Sequence, residues 1–80
     1  MLITEDGLYL ATSGSQSVFI SGSGAGTMKF VYKNSEGASV DITDGVVVLG
    51  EQYTLNSSRT PIFLSVTGTD GGTAIVMDVR

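Results

Sequence analysis

The sequence contains no cysteine, no histidine and no tryptophan, a single proline, and four basic residues against eight acidic ones. Each shortage excludes something. Without cysteine there is no disulfide, and without cysteine and histidine the usual zinc and haem ligands are missing, so no metal or other cofactor is expected. Histidine is also the side chain that titrates near neutral pH, so acid–base catalysis loses its commonest agent. Lys29, Lys33, Arg59 and Arg80 are the only cations. They are too few to form the basic stripe that follows a phosphate backbone, so nucleic acid is not an expected partner. No apolar run approaches the roughly 20 residues that span a bilayer, so no membrane partner is expected. MLITEDGLYL lacks the basic start and long apolar stretch of a signal peptide.

A chain of 80 residues makes one small domain, and a domain of this size buries only about 60% of its unfolded surface. With disulfides and metals excluded, self-association or docking on a larger partner is the expected source of added stability. What the sequence does have is glycine, serine, threonine and valine, the composition of strands and turns.

The period of the apolar residues is two. Met28, Phe30 and Tyr32 alternate with Lys29, Val31 and Lys33. After Asn34-Ser35-Glu36-Gly37 the alternation resumes with Ala38, Val40 and Ile42, which predicts a β-hairpin. Ser17 to Ser21 places Val18 and Ile20 opposite Phe19. Ile62, Leu64 and Val66 alternate with Phe63, Ser65 and Thr67, and Ile75, Met77 and Val79 alternate with Ala74, Val76 and Asp78. Gly68-Thr69-Asp70-Gly71-Gly72 between these last two strands predicts a second hairpin turn. Leu8 to Ala11 reads as a first strand. Val46 to Leu49 and Gln52 to Leu55 read as two short strands, or one bent at Gly50. The predicted fold is all-β, a small antiparallel β-sandwich or jelly-roll-like barrel of about seven to eight short strands. Residues 1–7 read as an N-terminal arm, free over Met1 to Asp6 or reaching a neighbouring subunit, and residues 8–80 as the single sandwich domain.

Several chemistries can be tested against the residues. The glycines of SGSGAGTMKF raise the possibility of a phosphate loop. Counting a P-loop from Gly22, however, puts Thr27 and Met28 where the second glycine and the lysine belong. No helix follows to supply free N–H groups, so the stretch reads as a flexible strand connection. Asp41, Asp44 and Asp70 lack the dense oxygen spacing of a calcium loop, and Asp44-Gly45 and Asp70-Gly71 read as turns. A Ser–Lys pair of Ser35 or Ser39 with Lys33 would sit on a solvated hairpin, where lysine stays protonated. Asn56-Ser57-Ser58 matches the N-glycosylation acceptor pattern but reads as a polar loop. No catalytic residue is assigned, and enzyme activity is not expected. The positive interaction signal is a set of apolar side chains: Tyr9, Phe19, Tyr53 and Phe63, out of phase with their aliphatic neighbours, and Leu2 and Ile3 of the arm. Together they form the expected partner or oligomer interface.

From Leu8 to Arg80 the chain also resembles small all-β structural proteins of tailed bacteriophages. The resemblance is carried by SQSVFISGSGAGT, MKFVYKNSEGASVDI, DGVVVLGEQYTL, RTPIFLSVTG and the terminal TAIVMDVR, in that order. The commoner form has a second glycine in its turn followed by a tryptophan, and this chain has neither. The resemblance implies a capsid decoration, or cement, protein on the exterior of the virion. Such a protein binds the major capsid protein and itself as a homo-oligomer, a trimer being favoured, and needs no cofactor. The alternatives are a tail-fibre or baseplate accessory module, or a small carbohydrate- or protein-binding β-sandwich domain.

Overall fold

A computed structural model describes residues 1–12, 16–42, 46–55 and 61–79. Asn56-Ser57-Ser58, Asp44-Gly45, Arg59 and Arg80 lie outside the described residues. Eight strands follow one another: β1 (Leu2–Ile3), β2 (Gly7–Thr12), β3 (Gln16–Ser23), β4 (Thr27–Lys33), β5 (Ser39–Asp41), β6 (Glu51–Leu55), β7 (Ile62–Thr67) and β8 (Ala74–Val79). Among the described residues there is no helix.

The strands form two four-stranded antiparallel sheets, in the orders β1-β8-β3-β6 and β2-β7-β4-β5. First pairs with last, second with seventh, third with sixth and fourth with fifth. This nested order is the jelly-roll form of the β-sandwich. The inward faces read as the alternation predicts. Val18, Ile20, Ile75 and Met77 face Met28, Phe30, Ile62, Leu64 and Val66 across the core, all almost fully buried. Branched and aromatic side chains on a period of two make each strand half-buried, and stacking the two apolar faces is what removes them from water.

The hairpin over residues 34–37 forms between β4 and β5. The Asn34 side-chain oxygen accepts from the N–H groups of Glu36 (2.9 Å) and Ala38 (3.0 Å), and Gly37 supplies the positive φ of 81° that the turn requires.

Other expectations need correction. The Gly68–Gly72 turn is not a hairpin. It carries the chain from β7 in one sheet to β8 in the other. Alternation is blind to this difference, because two strands facing each other across a core show the same pattern as two strands side by side. Residues 46–49 form no strand. The Val47 N–H donates to the Met28 carbonyl on one sheet (2.8 Å) and the Gly50 N–H to the Ile20 carbonyl on the other (2.6 Å), so this segment crosses between sheets and cannot stay in one ladder.

The N-terminal stretch is not a free arm. Leu2 pairs with Val76 and Ile3 with Ile75, which makes β1 an edge strand of the domain. Ile3 is 1% exposed and belongs to the core. Its burial is worth about 2 kcal/mol of transfer free energy, enough to hold so short a strand in place. The total accessible surface, 4580 Å², matches the roughly 4,600 Å² expected of a folded monomer of this mass.

The glycines of residues 21–26 are tightly held, contrary to the expected flexible connection. Gly22 lies inside β3 with φ of 115°, and a β-carbon there would sit 2.0 Å from the Ala74 carbonyl oxygen. At Gly24, φ is 102° and a β-carbon would meet the Gly72 carbonyl oxygen at 2.6 Å. These glycines let the β3–β4 connection press flat on the β7–β8 connection. The buried Thr73 hydroxyl donates to the Ala25 carbonyl and accepts from the Asp70 N–H (3.0 Å), joining the two connections. Asp6, from the β1–β2 turn, adds a third contact: its carboxylate accepts from the Thr69 N–H (2.9 Å), the Thr69 hydroxyl (2.6 Å) and the Gly68 N–H (3.3 Å). One end of the sandwich is therefore bound together by three connections.

Candidate interaction surface

The residues expected to form an interface are scattered by the fold. Ile3 is in the core. Tyr9 and Tyr53 point inward and pack against the core. The Tyr9 hydroxyl donates to the Glu5 carbonyl (2.6 Å), and the Tyr53 ring meets Phe30 edge-on at 5.4 Å. Phe19 and Leu2 lie on the outer face of the β1-β8-β3-β6 sheet, whereas Phe63 lies on the outer face of the other sheet. The six residues do not make one surface.

A coherent surface exists elsewhere, on the outer face of β2-β7-β4-β5. The register sets Leu10, Phe63, Val31 and Asp41 in one row across this face, and Leu8, Ser65 and Lys29 in the next. Leu8 and Leu10 are 41% and 51% exposed. Phe63 is half-buried. Val31 points away from the core yet is 2% exposed, so it adds little to the accessible surface of this face. An antiparallel sheet normally leaves one face polar. Here that face carries an apolar centre.

Leu8 and Leu10 escape a reading that sends aliphatic residues inward and leaves aromatics outside. The usable signal is that Leu8-Tyr9-Leu10-Ala11 is apolar without interruption. A strand with no polar alternate must place apolar groups on both of its faces.

Among the described residues β2 is an edge strand, bonded to β7 alone, and Gly7–Thr12 contains no charged residue. Edge strands of monomers are commonly guarded by charge or proline. β2 has neither, although a register shift between Leu10 and Thr12 breaks its regularity.

Charge on this face is unusual for the chain. Lys29 and Lys33, the two basic side chains among the described residues, point outward from β4. Lys29 is paired with Asp41 at 3.4 Å, and both groups are substantially exposed. The Lys33 ammonium donates to the Gly37 carbonyl at 3.4 Å. Asp41 is the one acid among the described outward positions of these four strands. By contrast, the outer face of the other sheet mixes Leu2, Phe19 and Val76 with Ser17, Ser21, Gln52, Thr54 and Asp78, a more polar surface.

Among the described residues, no group of three acidic, cysteine or histidine side chains is placed to hold a metal ion. No family model, curated protein or solved structure matches this chain.

Proposed function

We propose that the protein is a non-enzymatic structural component of a bacteriophage virion: a capsid decoration protein that binds the major capsid protein on the exterior of the head and stabilises it. The observation that carries this reading is the apolar outer face of β2-β7-β4, with Leu8 and Leu10 exposed on an uncharged edge strand of a very small domain. A surface of this kind gains by being covered. A module that binds only when folded is stabilised by its partner, by about 2.7 kcal/mol when free partner sites exceed the dissociation constant a hundredfold. Jelly rolls recur among capsid proteins as well as lectins, an analogy of fold that supports the reading without assigning it. The resemblance carried by residues 8–80 points the same way.

The test is stoichiometry in purified virions of the phage that encodes the chain. Quantitative mass spectrometry is expected to find copy numbers comparable with the major capsid protein. A few copies per particle would indicate a tail accessory, and absence from the particle, or a gene outside any phage or prophage, would overturn the reading.

A further inference from the structure

We infer that the outer face of β2-β7-β4-β5 is the surface that docks, and that it fits a protein surface with an apolar centre flanked by carboxylates. The inference rests on the decoration reading above and names the face and the chemistry of its partner. The accessible apolar centre is Leu8 and Leu10 with the half-buried Phe63, and the register sets Lys29 and Lys33 on β4, across β7 from the leucines. The chain carries a net charge of −4. Among the described residues the two basic side chains, Lys29 and Lys33, both point outward on this face, with Asp41 opposed to Lys29 and with Glu36 in the β4–β5 turn. Complementary charge sets which surface of a molecule meets its partner and in what orientation, while the apolar centre supplies affinity. Lys33 faces solvent with only a long bond to the Gly37 carbonyl, which a partner carboxylate can replace. Among the described outward side chains of its strands, the opposite sheet presents Asp78 and no cation.

Chemical footprinting of the intact chain, free and in purified virions, decides the matter. Lysines are acetylated in one arm, and carboxylates are coupled to an amine in the other. The expected result is several-fold protection of Lys33 in virions, with Asp78 labelled as in the free protein. Charge reversal by Lys33→Glu should then weaken rebinding to particles depleted of this protein by roughly tenfold, while Lys33→Arg retains it. Protection of Asp78 with Lys33 labelled as in the free protein would overturn the choice of face and leave the decoration reading intact. Concentration-dependent protection of Lys33 in the free protein would assign the face to a second copy of the chain and overturn the acidic partner. Absence of the protein from virions would overturn the decoration reading and this inference with it.

Discussion

The ring of Tyr53 meets the ring of Phe30 edge-on, with centroids 5.4 Å apart and planes inclined at 67°, and so ties β6 of one sheet to β4 of the other. The Tyr53 hydroxyl meanwhile accepts from the Val48 N–H at 2.8 Å, holding the segment that crosses between the sheets. The two roles separate by mutation. Tyr53→Phe keeps the ring contact and loses an exposed hydrogen bond, so it should cost about 1 kcal/mol or less. Tyr53→Ala loses the ring and should cost about 3 kcal/mol. Urea unfolding of the two variants measures the difference, and equal costs would remove the inter-sheet role.

Glycine substitutions separate close approach from turn geometry. Gly22→Ala drives a methyl group into the Ala74 carbonyl, 2.0 Å away, in a conformation that side chains already disfavour. It should cost about 3 kcal/mol or more. Gly37→Ala meets no atom within 4 Å and carries only the backbone penalty, about 1 kcal/mol. Thermal unfolding of both variants checks the ranking.

Acid should loosen the end of the sandwich where Asp6 sits. Hydrogen bonds from the Thr69 side chain and backbone, and from the Gly68 N–H, hold the Asp6 carboxyl below its ordinary range. A lowered carboxylate pKa gives stability that is complete above the unfolded value, near 3.9, and is lost as pH falls through the folded value. The melting temperature of the wild type should therefore fall more steeply below about pH 4 than that of Asp6→Asn. Parallel curves for the two proteins would show that the carboxylate contributes nothing.

Removal of residues 1–6 should unfold or loosen the isolated domain itself, since it deletes β1, the buried Ile3 and the Asp6 contacts to Gly68 and Thr69. Ile3→Ala alone should cost about 2–5 kcal/mol. Were the stretch a detached arm, neither change would alter the melting temperature of the isolated protein.

Much of the fold is legible in the alternation of apolar residues. Val18 and Ile20, Met28 and Phe30, Ile62, Leu64 and Val66, and Ile75 with Met77 all point inward as a period of two requires. What alternation does not carry is the identity of the neighbour. The turn over residues 68–72 joins two sheets rather than two adjacent strands, and only the long-range pairing of β7 with β2 and β4 reveals it. The site was less legible for the same reason. In Leu8-Tyr9-Leu10-Ala11 both phases are apolar, so the inward phase is set by what packs opposite. Tyr9 pairs with Leu64 and faces the core; Leu8 and Leu10 go outside. The gathering of Lys29 and Lys33 beside these leucines depends on β7 lying between β2 and β4, a relation of residues far apart in the chain.

Two substitutions of equal chemistry on opposite faces test the docking surface most directly. Leu10 and Leu2 are both leucines at outward positions of edge strands, 51% and 63% exposed, on different sheets. Leu10→Asp and Leu2→Asp are compared for co-sedimentation with capsids depleted of this protein, after matching their melting temperatures to the wild type. Loss of binding by Leu10→Asp with binding retained by Leu2→Asp is the expected result. Loss by Leu2→Asp alone would contradict docking through the β2-β7-β4-β5 face.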